Sequence, residues 1–290
     1  MMNNADLPLI QYTIWPEDLH GHRFKVKLHI SNPNPEGQIV QMPSWIPGSY
    51  LIRDFSKHIE SIEAFSSDST KKKLALERID NDQWRLPKCN CSVDIITTVY
   101  AFDNSVRAAY LDTERGFFNP TSLCLAVKGQ TATPCSLALT APEEAFADDW
   151  TVQTSLQEAK TDERGFGYYL AQNYDDLIDH PIAMGDFQLV RWNSNNTNHI
   201  MAIQGCIHSI DASRLAKDLQ AICSCTIQLF EPKTQKPPFK NYLFLVNAVQ
   251  SGYGGLEHRN STALLCRRDQ IPQKNIERSE EHTSELQSLA

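Results

Sequence analysis

The sequence predicts an α+β protein in two parts, an antiparallel β-sandwich over residues 1–184 followed by a helix laid on a small sheet over residues 185–277. Three observations carry this expectation. Short segments of alternating apolar and polar residues recur through the first half, the cleanest setting Phe24, Val26, Leu28 and Ile30 against Lys25, Lys27 and His29. A single amphipathic helical pattern follows Asp211, and an apolar run from Tyr242 to Val249 then reads as a buried strand.

Composition narrows the possibilities. At 290 residues, 41% hydrophobic and 21% charged, the chain is an ordinary globular one, long enough for two domains. A net charge of −8 with no long basic run argues against a nucleic-acid or anionic-membrane surface, and Lys71-Lys72-Lys73 reads as a solvated hairpin tip. No stretch is apolar for long enough to cross a bilayer, and residues 1–15 lack the basic start and apolar core of a secretory signal, so a cytoplasmic location is expected. The eight cysteines read as reduced, mostly buried thiols; the Cys-x-Cys pairs 89/91 and 223/225 lack zinc-ribbon spacing.

In chain order, residues 22–30 and 38–42 read as a pair of antiparallel strands around the turn Asn32–Gly37. Pro47-Gly48 predicts a tight turn that pins Trp45 and Tyr50. More strand patterns cover 59–65, 74–79, 83–86 and 92–102. Residues 100–123 carry Arg107, Asp112, Glu114 and Arg115 around Tyr110 and Phe117-Phe118, a pattern that predicts an ion-pair lattice holding a loop. Strands at 137–142 and 150–156 complete the sandwich. The acidic string Asn173–Ile182 lacks calcium-loop spacing and reads as a structural junction, with His180 fixed by Pro181. Beyond Gly185, strands are expected at 187–192 and 199–205. Asp211 caps a helix running to Phe230, with Leu215, Leu219, Ile222, Thr226 and Leu229 on the packing stripe. Pro237-Pro238 breaks the chain before the strand at 242–249, and 261–266 forms one more.

The stretch Gly252-Tyr253-Gly254-Gly255-Leu256-Glu257-His258 is the candidate site. Two glycines without Cβ atoms let another backbone approach, and a carboxylate two residues on can meet a positive group, such as the free amino terminus of a peptide lying alongside by strand addition. The same string also reads as a glycine turn between two strands with a solvated Glu. The run from Gly252 to Thr262, the string PSWIPGSYLIRDF at 43–55, the block at 100–123 and the junction at 173–182 resemble, in that order, the glycyl aminopeptidases, metallopeptidase family sixty-one of the gluzincin clan. The resemblance spans about Leu7 to Asp269. It implies that 185–277 is the truncated start of a thermolysin-like α/β peptidase domain. It also implies that Gly254, Gly255 and Glu257 bind the substrate's N-terminal ammonium with Asn119 beside them, and that the substrate is a peptide with a small N-terminal residue, Gly or Ala.

The same resemblance implies zinc in the full-length enzyme, held by His-Glu-x-x-His. None of the nine histidines here has that spacing, so no metal is expected on this fragment, no catalytic residue is assigned, and the chain is expected to be inactive as it stands. The run RSEEHTSELQS at 278–288 matches a translated sequencing adapter, and residues 278–290 are set aside as such. The alternative reading is a non-catalytic peptide- or glycan-binding sandwich protein, or a pseudoenzyme of the same fold. Oligomeric state is open.

Overall fold

The computed structural model describes residues 8–272, so the adapter-like run at 278–290 lies outside the described residues. The largest sheet has eight strands: β1 (Ile10–Asp18), β2 (Arg23–Ile30), β4 (Ile59–Ser66), β5 (Lys73–Leu74), β8 (Val93–Tyr100), β12 (Cys135–Leu139), β14 (Gln157–Thr161) and β15 (Gly167–Ala171). Their order is β14-β15-β12-β1-β2-β8-β4-β5, and every neighbouring pair is antiparallel except β1 with β12. Ile10, Tyr12 and Ile14 of β1 stand opposite Ile30, Leu28 and Val26 of β2, so one face of the hairpin is a ladder of buried apolar pairs.

Two four-stranded sheets close over this face. One holds β3 (Ile39–Gln41), β6 (Glu77–Asp80), β7 (Gln83–Arg85) and β11 (Ala126–Val127); the other holds β9 (Ala109–Leu111), β10 (Arg115–Phe118), β13 (Thr151–Thr154) and β16 (Ile182–Gly185). Val40, Trp84, Phe118 and Ile182 from these sheets share one core with the large one, and Phe24 meets Phe118 edge to face at 5.3 Å. The expected pairing of β2 with residues 38–42 does not form. Both edges of β2 are taken by β1 and β8, and the turn at Asn32–Gly37 carries β3 across to the facing sheet.

A five-stranded sheet follows: β17 (Gln188–Ser194), β18 (Thr197–Gln204), β19 (Asn241–Val249), β20 (Gly254–Glu257) and β21 (Ser261–Arg267), in the order β17-β18-β19-β21-β20. The chain reaches it through the short helix α1 (Tyr174–Ile178) and β16, and the long helix α2 (Ala212–Phe230) links the parallel strands β18 and β19. Alternate residues of this sheet serve different partners. Ala202, Leu243, Leu245, Leu256 and Ala263 join the sandwich core, while Val190, Met201, Ile203, Val246 and Ala248 pack in a second core on the α2 side. Burial on both faces explains why β19 reads as a continuous apolar run.

Asp211 caps α2, its carboxylate accepting the Arg214 amide at 3.0 Å. The packing stripe differs from the predicted one beyond its first two members. Leu215 and Leu219 face the sheet, but Ile227 continues the stripe, while Ile222 and Leu229 are exposed. A step of four from Leu219 keeps the contact along β17, whereas a step of three turns the side chain away from it. Among the described residues no helix is long and apolar enough to cross a membrane.

Candidate functional site

β20 is an edge strand, paired only with β21. The His258 amide donates to the Ser261 carbonyl at 2.9 Å. Antiparallel pairing alternates from that point, so the backbone groups of Leu256 and Gly254 face β21 while those of Gly255 and Glu257 face outward. Side chains alternate as well. Leu256 is fully buried toward the sandwich, which places Gly255 and the exposed Glu257 on the opposite face of the strand. A Cβ built on Gly255 would lie 3.4 Å from Leu264 and 3.9 Å from Glu257 Oε1, so the room left by the missing side chain adjoins the carboxylate. Among the described residues Glu257 makes no ion pair, although Arg259 is two positions away: Arg259 Nε turns instead to Asp179, at 3.0 Å.

Three anchors hold the strand in place. The Arg107 guanidinium donates to the outward carbonyl of Gly255 at 2.9 Å. The turn Ile46-Pro47-Gly48-Ser49, closed by the Ser49 amide on the Ile46 carbonyl, lays Gly48 against Leu256 and the Glu257 carbonyl. At φ 83° Gly48 occupies the third position of a type II turn, and a Cβ there would fall 3.0 Å from Leu256 Cδ1 and 3.2 Å from Glu257 O. Gly48→Ala is therefore expected to cost about 1–3 kcal/mol and to displace the Glu257 segment, read as a lower urea midpoint. The turn fixes Trp45, whose indole donates to Ser49 O at 2.8 Å, but leaves Tyr50 fully exposed. The third anchor is the buried His258, whose Nδ1 lies 3.0 Å from Asp179 Oδ1 just beyond α1.

The structure separates the predicted site residues. Gly254, Gly255 and Glu257 lie together on β20, whose outer edge meets Arg107 at the Gly255 carbonyl and the Gly48 turn at the Glu257 carbonyl, whereas Asn119 is fully buried. Its amide donates to the carbonyls of Val106, at 3.0 Å, and Ala108, at 3.3 Å. The amide nitrogen of Asn119 thus steadies the loop that carries Arg107, while its Oδ1 is buried with no hydrogen-bond partner among the described residues. The predicted ion-pair lattice at 100–123 is also absent among the described residues. The segment is the hairpin β9–β10, Arg107 reaches Gly255, and Arg115 stacks on the Tyr110 ring at 4.1 Å. Sequence reasoning missed the roles of Arg107 and Asp179 because their partners lie far along the chain.

The junction at 173–182 is structural in detail. Asn173 caps α1 by accepting the Asp176 amide at 2.8 Å, and the His180 ring is fixed by the Ser155 hydroxyl at 2.7 Å from Nδ1 and by Asp176 at 3.5 Å from Nε2, rather than by Pro181. Burial pushes the His180 pKa down, and the neighbouring Asp176 only partly offsets it. An unfolded histidine titrates near about 6.5, so the unfolded chain takes up the proton first; the stability His180 contributes is complete above that value and is lost as pH falls through the lower folded pKa. Burial shifts His199 and His58 in the same direction. Thermal melts should show a falling Tm from about pH 7 to about pH 5, and a shallower fall in His180→Gln.

The zinc implied by the family resemblance does not fit here. Among the described residues no three His, Cys, Asp or Glu side chains converge as ligands, and the histidines nearest β20, His258 and His180, are buried and bonded to Asp179 and Ser155.

Residues 11–186 match the family model described as the peptidase M61 N-terminal domain. The crystal structure of an aminopeptidase N family protein from Idiomarina loihiensis superposes over 97% of this chain with 44% identity and a TM-score of 0.85, and the chain spans 46% of that protein's length. Aminopeptidase A of Legionella pneumophila, in complex with aspartic acid, aligns over 89% of this chain and 30% of its own at 9% identity and a TM-score of 0.50, a likeness of fold alone. No curated protein sequence matches the chain. With more than half of its length covered by that family model, the chain belongs to the M61 peptidase family and carries its N-terminal domain.

Proposed function

We propose that this chain is the N-terminal part of a zinc aminopeptidase that removes small residues, Gly or Ala, from the amino termini of peptides, and that it contributes the wall that binds the substrate's amine. The observation that carries the reading is the Glu257 carboxylate: exposed, free of ion pairs among the described residues, and standing on an edge strand whose neighbouring charges are already committed to Asp179. An ammonium group there would complete the one uncommitted charge on the hairpin. The outward amides of Gly255 and Glu257 offer donors to a peptide backbone laid alongside, while Arg107 at the Gly255 carbonyl and the Gly48 turn at the Glu257 carbonyl limit how far that pairing extends. Leu264 bounds the space over Gly255, which favours a small first side chain.

Hydrolysis needs an activated water and polarisation of the scissile carbonyl, and among the described residues no three His, Cys, Asp or Glu side chains converge to hold a metal that would supply them. The chain as given is therefore proposed to bind peptides without cleaving them, the five-stranded sheet with α2 being the opening of the peptidase domain. Calorimetric titration of the chain with Gly-Ala-Ala and its N-acetylated counterpart tests this. Binding of the free-amine peptide alone is expected; equal affinity for the acetylated one would remove Glu257 from the role.

A further inference from the structure

A second polar cleft lies away from β20, between the β9–β10 hairpin and the carboxyl ends of β18 and β19. It has a volume of about 340 Å³, and its walls include Glu114, Arg115, Asp186, Gly205, Asn247 and Arg268. Ligands in sheets with parallel strands gather at the carboxyl ends, where the chain leaves the sheet and backbone groups open toward solvent. β18, β19 and β21 are parallel and end at this cleft.

Its charges are unusual in being left apart. Arg115 lies over the Tyr110 ring and donates to Asn104 Oδ1, and Arg268 Nε donates to the Ala248 carbonyl at 3.2 Å; neither forms an ion pair among the described residues. Burial lowers the Arg115 pKa, and the nearby Tyr110, Asp112 and Glu114 only partly offset it. On the same cleft the carboxylates of Glu114 and Asp186 are exposed and accept no hydrogen bond among the described residues. Asp112, by contrast, is fully engaged, taking the Tyr110 hydroxyl at 2.7 Å and the amides of Glu114 and Arg115. Two cations and three anions thus line one cleft with no ion pair between them among the described residues, and of the carboxylates only Asp112 is already hydrogen-bonded.

We propose that this cleft binds a small zwitterion, a free α-amino acid, with its carboxylate on Arg115 and Arg268 and its ammonium on Glu114 and Asp186. The guanidinium fork matches a carboxylate in shape as well as charge. The inference does not depend on the role of Glu257.

Calorimetric titration of the chain with L-alanine tests it, beside L-alaninamide, which lacks the carboxylate, and N-acetyl-L-alanine, which lacks the amine. Saturable millimolar binding of L-alanine is expected, weakened at least about tenfold for each single-charge analogue and in Arg268→Gln, the loss of one charge-assisted hydrogen bond. Glu114→Gln, an exposed position that leaves the fold intact, should weaken it in the same direction. Absence of saturable binding, equal binding of L-alaninamide, or loss in Glu257→Gln with Arg268→Gln unaffected would overturn the assignment.

Discussion

Glu257→Gln is expected to weaken binding of a free-amine peptide by roughly tenfold, about 1.5 kcal/mol, while leaving an N-acetylated peptide and the thermal midpoint unchanged. The isosteric amide keeps the size of the side chain and removes only the charge. Because the carboxylate is exposed and makes no ion pair among the described residues, no internal partner is orphaned by the change. In a catalytically complete protein the same substitution should fall on the kinetics of free-amine substrates. A uniform loss on acetylated and free peptides alike would show that Glu257 acts through the fold.

Leu256→Ala is expected to have the largest effect on stability, about 2–5 kcal/mol, measured as a fall in urea midpoint at unchanged slope. Its side chain is fully buried, joins the sandwich core, and is the surface on which the Gly48 turn rests. Truncation opens a cavity at the point where the edge strand is pressed onto the sandwich. Peptide affinity should fall with it, because β20 has few other ties to the sandwich. An unchanged urea midpoint with normal peptide binding would mean that the Arg107 and Asp179 anchors hold the strand unaided.

How much of this was legible depends on the range of the interactions concerned. β2, β8 and β19 follow from local alternation or an unbroken apolar run, and the Pro47-Gly48 turn and the Asp211 cap follow from local backbone chemistry. β1 carries the same alternation in Ile10, Tyr12 and Ile14. The partner of β3, the continuation of the α2 stripe past Leu219 and the burial of Asn119 are decided by packing between distant elements, where local periodicity is silent. Charge spacing misled at 100–123, since Arg107 and Arg115 find a carbonyl and a ring in place of carboxylates. For the site itself, the glycines and Glu257 were readable as a group, but nothing nearby in sequence announces Arg107, whose acceptor lies 148 positions away.

The parallel pairing of β1 with β12 has a bearing on biosynthesis. β1 lies near the middle of the eight-stranded sheet, and the hydroxyl of Thr140, just past β12, donates to the Ile14 carbonyl across 126 positions. During translation the β1–β2 hairpin therefore emerges with both hydrogen-bonding margins bare; β8 covers one, and the β1 margin stays bare until β12 leaves the ribosome. For that interval the nascent chain exposes a sticky ribbon, which makes the early stage of synthesis, rather than the finished domain, the point where chaperone capture or misassembly would act.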